Sequence, residues 1–293
     1  MTAREEGFLL LTSHLGDLGR KPLTFRQFRE LILRSMNYPA LHGASTVTME
    51  DMARMGFDRA MAERTVRLFS EKDRMKAYLR LAKKNGCSLV ALSNPSYPEI
   101  LTQRLAMDAP TVLWAKGDLS LLGKPAIALV GSRDLYLENL QFARQVGSLA
   151  AENGYVLISG NARGADQEAQ AACIAHGGKV ISVVADGLTD KRSDPSILYL
   201  SEDSFDLEFS SHCALKRNRI IHSLGSATFV AQSDYGKGGT WSGTYNNLKR
   251  NLSPVICFND GSAAMAQYQK MGARLITMEQ LPETIKQKTE ENL

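Results

Sequence analysis

The chain has 293 residues, of which 44% are hydrophobic and 23% charged, with a formal net charge of +4. This composition is typical of a soluble globular protein, and no apolar run approaches the roughly 20 residues of a membrane-spanning helix. The N-terminus lacks a secretion-signal pattern, and the scattered cysteines argue against a disulfide framework or a zinc site. We therefore expect a cytoplasmic protein without a bound metal, a cofactor or a membrane partner.

The first part of the chain, residues 1–86, is predicted to form a small helical domain. Residues 23–36 carry apolar side chains close to helical spacing, and Thr48 with the acids that follow it is typical of a helix start. Gly56 and Gly86 are typical helix stops. Short helices around a Met-Gly-Phe turn favour a helix-hairpin-helix or SAM-like module, and a plain helical cap on the main domain is the equal alternative.

The rest of the chain, residues 87–293, is predicted to form one α/β domain. From residue 126 onward, continuous apolar runs alternate with helix-like runs. Strands of this kind are buried on both faces, so the pattern predicts a Rossmann-like, doubly wound, mostly parallel sheet with right-handed crossovers. Residues 190–208 are predicted to form a polar connection, and the last residues a helical tail at the surface.

Charges of opposite sign are segregated between two neighbouring segments. In residues 210–250, Asp234 is the single acid, whereas residues 190–208 are rich in acids. This arrangement favours a directional field and a polyanionic partner, and two solvated faces without a partner are the alternative. The acids of residues 190–208 include Asp194, Glu202, Asp203, Asp206 and Glu208.

Three loops rich in small residues follow predicted strands and are expected to converge at one sheet edge. Glycine lets a backbone approach an anion closely, and hydroxyl and arginine side chains add donors. Each loop alone fits a tight turn, whereas together they favour an anion site. Asp166 is expected to cap a helix or orient Arg163. The candidates are Gly131, Ser132 and Arg133, then Ser159, Gly160, Arg163, Gly164 and Asp166, then Lys237, Gly238, Gly239 and Thr240.

A basic stretch is predicted to open a helix with Lys216, Arg217 and Arg219. Bases at a helix N-terminus oppose the helix dipole, an arrangement that a bound anion would relieve. Just past the third loop, Trp241 and Tyr245 are candidates for stacking on nucleic-acid bases, with core packing as the equal alternative.

Taken together, these motifs resemble the DNA-processing protein A (DprA/Smf) family. The runs AIALVGSRD, ISGNARGADQEA, GGKVISVV, KRNRIIHSL and GKGGTWSG occur in the order and approximate spacing of that family, over roughly residues 97–259. The resemblance implies a Rossmann-like domain that binds single-stranded DNA, dimerises and helps to load the recombinase RecA in natural transformation. It also adds Asn218 to the candidate DNA contacts.

The chain departs from the family pattern at several positions, which indicates a divergent member. Asn161 occupies a usually apolar position, and Gln170 replaces a common histidine. Ala214 and Leu215 replace an aromatic-proline pair, and no winged-helix-like C-terminal domain follows.

We expect a non-catalytic protein of DNA processing, transformation and recombination. Its expected partners are single-stranded DNA, a RecA-type recombinase and a second copy of the chain. No P-loop, G-x-G-x-x-G motif or catalytic constellation is visible. The alternative is a nucleotide-binding sensor or phosphoribohydrolase-like enzyme of the same Rossmann-like superfamily, including one in antiviral defence, with Asp166 as the carboxylate near the ribose.

Overall fold

The computed structural model describes residues 1–17, 19–41, 46–202 and 204–290. Asp203 of the acidic segment and residues 291–293 of the predicted tail lie outside these ranges. The helices of the first part are α1 (Ala3–Thr12), α2 (Phe25–Ser35), α3 (Met49–Arg54), α4 (Arg59–Ser70) and α5 (Lys72–Lys84). The strands are β1 (Ser88–Ala91), β2 (Val112–Lys116), β3 (Ala126–Val130), β4 (Val156–Ser159), β5 (Lys179–Val183), β6 (Ile197–Ser201), β7 (Thr228–Val230), β8 (Val255–Phe258) and β9 (Arg274–Ile276). The remaining helices are α6 (Glu99–Leu105), α7 (Leu137–Glu152), α8 (Ala165–Ala175), α9 (Ser211–Leu224), α10 (Gly238–Arg250), α11 (Ala263–Lys270) and α12 (Leu281–Glu290).

The predicted helix boundaries in the first part are confirmed. The Thr48 side chain accepts from the backbone N–H of Asp51, and the Asp51 side chain accepts from the Thr48 backbone, so α3 begins with a reciprocal capping box. After α3 and α5, Gly56 and Gly86 have φ of 76° and 70°. Glycine adopts this left-handed conformation without a steric penalty, and both helices end there.

The predicted Rossmann-like, mostly parallel sheet is confirmed. It has nine strands in the order β1-β2-β6-β5-β4-β3-β7-β8-β9. The pairs from β6 to β9 are parallel, and only β1 and β2 are antiparallel among the described strands. The prediction of a purely polar connection over residues 190–208 is wrong, because β6 lies within it and pairs with both β2 and β5.

The order of the strands reverses at β3. The chain runs from β3 through β4 and β5 to β6 on one side, and then returns to β7, which pairs with β3 on the other side. The connections that leave β3 and β7 at their carboxyl ends therefore diverge to opposite faces of the sheet. In open α/β sheets such a reversal produces a crevice in which ligands bind.

Both faces of the sheet are covered by helices, as the continuous apolar strands require. Side chains that alternate along β3 separate into two cores, with Ala126, Ala128 and Val130 in one and Ile127 and Leu129 in the other. The first core includes residues of α6, α9 and α11, and the second includes residues of α7, α8 and α12. The predicted C-terminal helix is therefore confirmed, but its apolar side is buried against the sheet.

The N-terminal helices share a third core with the edge of the sheet. At its centre, the ring of Tyr78 from α5 lies 5.3 Å from Trp114 of β2 and 4.5 Å from Phe205. Trp114 is only 1% exposed. A core shared in this way is the packing expected of a helical cap, whereas the division at residue 86 and the helix-hairpin-helix or SAM-like identity stay predictions.

The close contact between α7 and α8 gives a first test of the fold. A Cβ at Gly147 would lie 2.1 Å from the carbonyl oxygen of Ala169, so we expect Gly147→Ala to lower the free energy of unfolding by about 1–3 kcal/mol. Gly123→Ala is the matched control, because a Cβ there meets nothing within 4 Å. Urea denaturation measures both variants, and equal stabilities would contradict the packing described.

Candidate nucleic-acid interface

A pocket of about 590 Å³ lies at the carboxyl ends of β3 and β7, where the strand order reverses. Its walls come from the loop after β3, the loop before α10 and one side of α9. The structure thus brings together a large share of the candidate residues. Those that line the pocket are Gly131, Ser132, Arg133, Asp166, Arg217, Asn218, Lys237, Gly238, Gly239 and Thr240.

The loop after β4 is held by two buried charged side chains. Oδ2 of Asp166 accepts the backbone N–H groups of Gly160 at 3.1 Å and Ala162 at 3.2 Å. Nη2 of Arg217 donates to the carbonyl oxygen of Gly160 at 2.9 Å. Both charged residues are 7% exposed. We call Asp166, Arg217 and Gly160 the loop clamp.

Glycine is required at residue 160 because the Arg217 guanidinium occupies the space of a side chain. A Cβ there would lie 1.7 Å from Nη1 of Arg217. At the end of the same loop, Gly164 has φ of 87°, and a Cβ would lie 2.3 Å from the carbonyl oxygen of Arg133. The two glycines of this loop therefore serve close packing inside the protein.

The two charges of the loop clamp shift each other's titration. Burial raises the pKa of Asp166, and the positive charge of Arg217 together with the two N–H donors opposes that rise. Burial lowers the pKa of Arg217, and the Asp166 charge opposes this change. Arginine keeps its proton in proteins, so Arg217 places a buried positive charge beside the pocket.

The loop after β3 brings an arginine to the mouth of the pocket. Gly131 packs so closely against α8 that a Cβ would lie 2.4 Å from Cβ of Ala165. The Ser132 backbone and hydroxyl both donate to the carbonyl oxygen of Gln232, at 3.1 and 3.3 Å. Arg133 is exposed, and its side chain forms no ion pair with any residue that the structure describes.

Beside the loop that carries Lys237, the first turn of α10 also lines the pocket, and this helix begins at Gly238. Sequence reasoning placed Gly238, Gly239 and Thr240 in a loop, and the structure corrects this, because all three belong to the helix. Among the described residues no side chain caps this N-terminus, and Lys237 precedes it in an extended, exposed conformation. Uncapped N–H groups and the helix dipole favour a bound anion there.

Two further donors lie in the wall that α9 contributes. Among the described residues, Nε of Arg217 and Nε2 of His222 are buried without a hydrogen-bond partner. Ser253 donates its N–H to Oδ1 of Asn247, which turns Nδ2 of Asn247 toward Nδ1 of His222 at 3.1 Å. Neutral His222 therefore carries its proton on Nε2, which lies buried behind α10 with no acceptor among the described residues.

Several candidates of the second loop lie outside the pocket. Ser159 is fully buried, and its hydroxyl accepts from Nε2 of Gln170 at 3.0 Å. Asp166 neither caps α8 nor orients Arg163 as expected, because among the described residues no side chain caps α8, and Arg163 instead pairs with Asp134 at 2.6 Å. Both members of that pair are exposed, so water screens it strongly.

The basic stretch of α9 does not open a helix. Because α9 begins at Ser211, the bases lie in its middle, and the argument from the helix dipole fails. Glu202 pairs with Arg219 at 2.5 Å and with Lys216 at 3.2 Å. One acid of the acidic segment thus neutralises part of the basic segment, and the predicted directional field stays a prediction. Lys216 and Arg219 line a separate cleft beside the N-terminal helices.

Some pocket residues were not found from the sequence. The exposed side chains of Phe209 and Leu215 form an apolar part of the lining, and His222 and Ser242 add polar groups. Leu215 stands out in the sequence only as a departure from the family pattern. Phe209 carries no signal, because a single aromatic residue in a polar segment is ordinary.

Both candidates for base stacking lie on α10 outside the pocket lining. Trp241 is half-buried and stacks on Tyr268 with ring centroids 5.0 Å apart. Tyr245 is 42% exposed. Trp241 is therefore mainly packed against the core, whereas the ring of Tyr245 is accessible from solvent.

The fold and the pocket define a Rossmann-like α/β protein with a candidate anion site at the point where the strand order reverses. The family model of the DNA recombination-mediator protein A matches residues 88–286. The chain therefore belongs to the DNA recombination-mediator protein A family, and the resemblance drawn from its motifs is confirmed.

Individual relatives agree with this assignment. The chain is 29% identical over 229 residues to the DNA processing protein DprA of Bacillus subtilis, which covers 71% of this chain and 76% of that protein. It is 35% identical over 141 residues to DprA of Streptococcus pneumoniae, covering 45% of this chain and 50% of that protein.

Two solved structures share the fold. The X-ray structure of S. pneumoniae DprA matches with a TM-score of 0.69 and 25% identity over 96% of both chains. The structure of DNA processing protein A from Helicobacter pylori matches with a TM-score of 0.57 and 22% identity, over 69% of this chain and 96% of that one. At that identity the second match supports the fold alone.

The described residues show neither a membrane-spanning helix nor a metal cluster. None of the helices in the described ranges has the length and apolarity to cross a bilayer. Over the same ranges, His, Cys, Asp and Glu side chains form no group of three or more that could hold a metal ion.

The loop clamp predicts that residue 160 tolerates no side chain. Gly160→Ala is expected to displace the Arg217 guanidinium and to lower the free energy of unfolding by about 3 kcal/mol, because it separates a buried charge from its partners. The control is Gly239→Ala, where the nearest atom would lie at an ordinary 3.7 Å. Chemical denaturation of both variants is the measurement, and full stability of Gly160→Ala would refute the clamp.

The buried imidazole of His222 predicts a pH dependence. Burial and the nearby Arg217 charge lower the pKa of His222 from 6.5 to about 3. Between these two values the unfolded chain binds a proton on this histidine and the folded protein does not. The contribution of His222 to stability is therefore present above pH 6.5 and is lost as the pH falls toward 3. We expect the loss to reach about 1.4 kcal/mol per pH unit.

Two measurements check this expectation. Nuclear magnetic resonance of the histidine rings should show one imidazole that stays neutral through mild acid until the protein unfolds. Comparison with His222→Gln assigns that signal, and the variant should lose less stability on acidification. Protonation of the assigned ring near pH 6.5 in the folded protein would contradict the described environment.

Proposed function

We propose that this protein binds single-stranded DNA in the pocket and acts without catalysis in DNA processing. The observation that carries the proposal is the convergence of the uncapped N-terminus of α10 with two exposed cations, Arg133 and Lys237. Phosphate is the anion that such an arrangement suits. Membership of the recombination-mediator family supports DNA as its source.

The dimensions of the pocket favour a single strand over a duplex. A volume of about 590 Å³ is within the range of sites that enclose one small ligand. It can therefore accept one or two nucleotides of a flexible strand. The major groove of a duplex is by itself about 12 Å wide, so a whole duplex cannot enter the pocket. Its phosphates would touch only the rim.

The charges around the pocket favour a small number of phosphate contacts. The lining includes Arg133, Arg217 and Lys237, but also Asp134, Asp166 and Asp234. Bulk attraction is therefore weak, and affinity has to come from oriented donors. With two or three phosphates neutralised, log K should fall against log salt with a slope of about −1.4 to −2.

The alternative of a phosphoribohydrolase-like enzyme is not favoured by the site. Its reaction would need a carboxylate free to contact the ribose, and Asp166 was the candidate. Asp166 already accepts two backbone N–H groups and faces the charge of Arg217. Its role in holding the loop accounts for it without a substrate.

The proposal extends to the setting in which the protein acts. We propose a cytoplasmic homodimer that delivers single-stranded DNA to a RecA-type recombinase in transformation or recombination. The support is the recombination-mediator description of the family. A pull-down of the recombinase with and without single-stranded DNA tests the partnership, and sedimentation tests the dimer.

Substitution of the exposed cations tests the pocket as the DNA site. Arg133→Ala and Lys237→Ala are each expected to weaken binding of a labelled oligothymidylate about tenfold, since each loses a charge-assisted bond worth about 1.4 kcal/mol. Asp134→Asn should tighten binding, because it removes a negative charge from the rim and frees Arg163. Fluorescence anisotropy at several salt concentrations gives the affinities and the slopes.

Lys216→Ala is the matched control, because Lys216 lies in the separate cleft beside Glu202. It should leave DNA affinity unchanged. If Lys216→Ala weakened binding and the two pocket variants did not, the strand would bind at that cleft instead. Competition by a mononucleotide as strong as by the oligonucleotide would favour a small-ligand site.

A further inference from the structure

A cluster of aromatic rings lies beside the first turns of α10. Trp241 is its centre, with ring centroids 4.8 Å from Tyr235, 6.1 Å from Tyr245 and 5.0 Å from Tyr268. Tyr268 is fully buried, and its hydroxyl is bonded to that of Ser233 at 2.9 Å. Trp241 is therefore fixed to the core and holds the two outer tyrosines in place.

The outer tyrosines are far more exposed than core packing requires. Tyr235 is 58% exposed and Tyr245 is 42% exposed. Neither hydroxyl has a hydrogen-bond partner within the described part of the chain. Neighbouring aromatic rings held rigidly at a surface are unusual without a partner, because their burial is strongly favourable.

These rings continue the pocket in one direction. Tyr245 follows Gly238 by seven residues, which places it about 10 Å along the helix from the N-terminus that faces the pocket. Trp241, Tyr245 and Lys249 recur at four-residue spacing, so they lie along one side of α10. Lys249 is exposed. We call Tyr235, Trp241, Tyr245 and Lys249 the α10 stripe.

The charge of the stripe suits a polyanion. The sequence of α10 contains no acidic residue, and Lys249 adds an exposed positive charge at its far end. Asp234, the nearest acid in sequence, precedes Tyr235 at the pocket end. Arg250 is directed away to Asp108 at 2.8 Å and lies outside the stripe.

We infer that single-stranded DNA leaves the pocket along the α10 stripe, with bases stacked on Tyr235 and Tyr245 and the backbone passing Lys249. This inference rests on the proposed binding of single-stranded DNA. Stacking on aromatic rings is tolerant of sequence, because every base has a flat face, and a pocket phosphate fixes the strand at one end. The stripe would lengthen the binding site beyond the few nucleotides that the pocket holds.

A cycle of protein and DNA changes tests the stacking directly. Oligothymidylates with a single abasic position, scanned along the strand, are measured by anisotropy against the wild type and against Tyr235→Ala/Tyr245→Ala. Loss of the rings or of the matching base should each weaken binding about 5- to 100-fold. In the alanine variant, an abasic position that would face a lost ring should weaken binding no further than the variant does alone, because that contact is already absent.

Further variants separate stacking from other effects. Tyr235→Phe/Tyr245→Phe keeps the rings and should bind as the wild type does. Phe25→Ala removes a 46% exposed ring from α2 and should leave affinity unchanged. The wild-type abasic scan needs no variant, so it remains decisive if the alanine variant does not fold.

The outcomes distinguish the two proposals. Tight binding of oligothymidylate with no abasic position that weakens it, or with strictly additive losses, would overturn the stripe while the pocket stands. Failure of the wild type to bind oligothymidylate would overturn the proposed function and the stripe with it. Loss of self-association in the alanine variant, with unchanged DNA affinity, would assign the rings to a protein contact and overturn the inference.

Discussion

The backbone N–H and C=O of Gly160 are both bonded to buried charged side chains, those of Asp166 and Arg217. Asp166 comes from the start of α8 and Arg217 from the middle of α9, so one glycine joins elements on the two faces of the sheet. Removing either charge would leave the other buried with fewer partners, a change that typically costs about 3–5 kcal/mol. The loop after β4 is consequently set by the interior and not by a ligand.

The geometry of the pocket follows from this clamp. With Arg217 held inward, the same side of α9 presents Asn218 to α10, and its side chain donates to the carbonyl oxygen of Gly239 at 3.1 Å. That contact orients the uncapped first turn of α10 toward the space above the clamp. Arg133 and Lys237 then border this space from the two strands between which the order reverses. At the proposed site, recognition would thus depend on a few oriented donors, since Glu202 partly neutralises the larger basic segment.

The sequence predicted the fold well because long-range order here follows local patterns. Continuous apolar runs gave the parallel strands, and the glycines after them gave the tight turns at one edge. Strand β6 was missed because Ile197–Ser201 is a short run inside a polar segment. The start of α9 was missed because its first turn mixes polar and small side chains and lacks apolar periodicity.

The site was predicted in part, and the errors share one cause. Sequence identifies arginine as a candidate but does not tell which side of a helix faces inward. Arg217 and Arg219 are two residues apart, yet one enters the clamp and the other pairs with Glu202 across a separate cleft. Likewise, Ser159 looked like a donor for phosphate, whereas burial commits its hydroxyl to Gln170. Such assignments depend on tertiary contacts between distant segments.

The most direct test of the account is a crystal structure of the protein with a short oligothymidylate bound. The account predicts a phosphate between Arg133 and the first turn of α10, with Arg217 still bonded to the carbonyl oxygen of Gly160. A strand bound in the cleft of Lys216 and Arg219, or one that draws Arg217 out of the clamp, would contradict it.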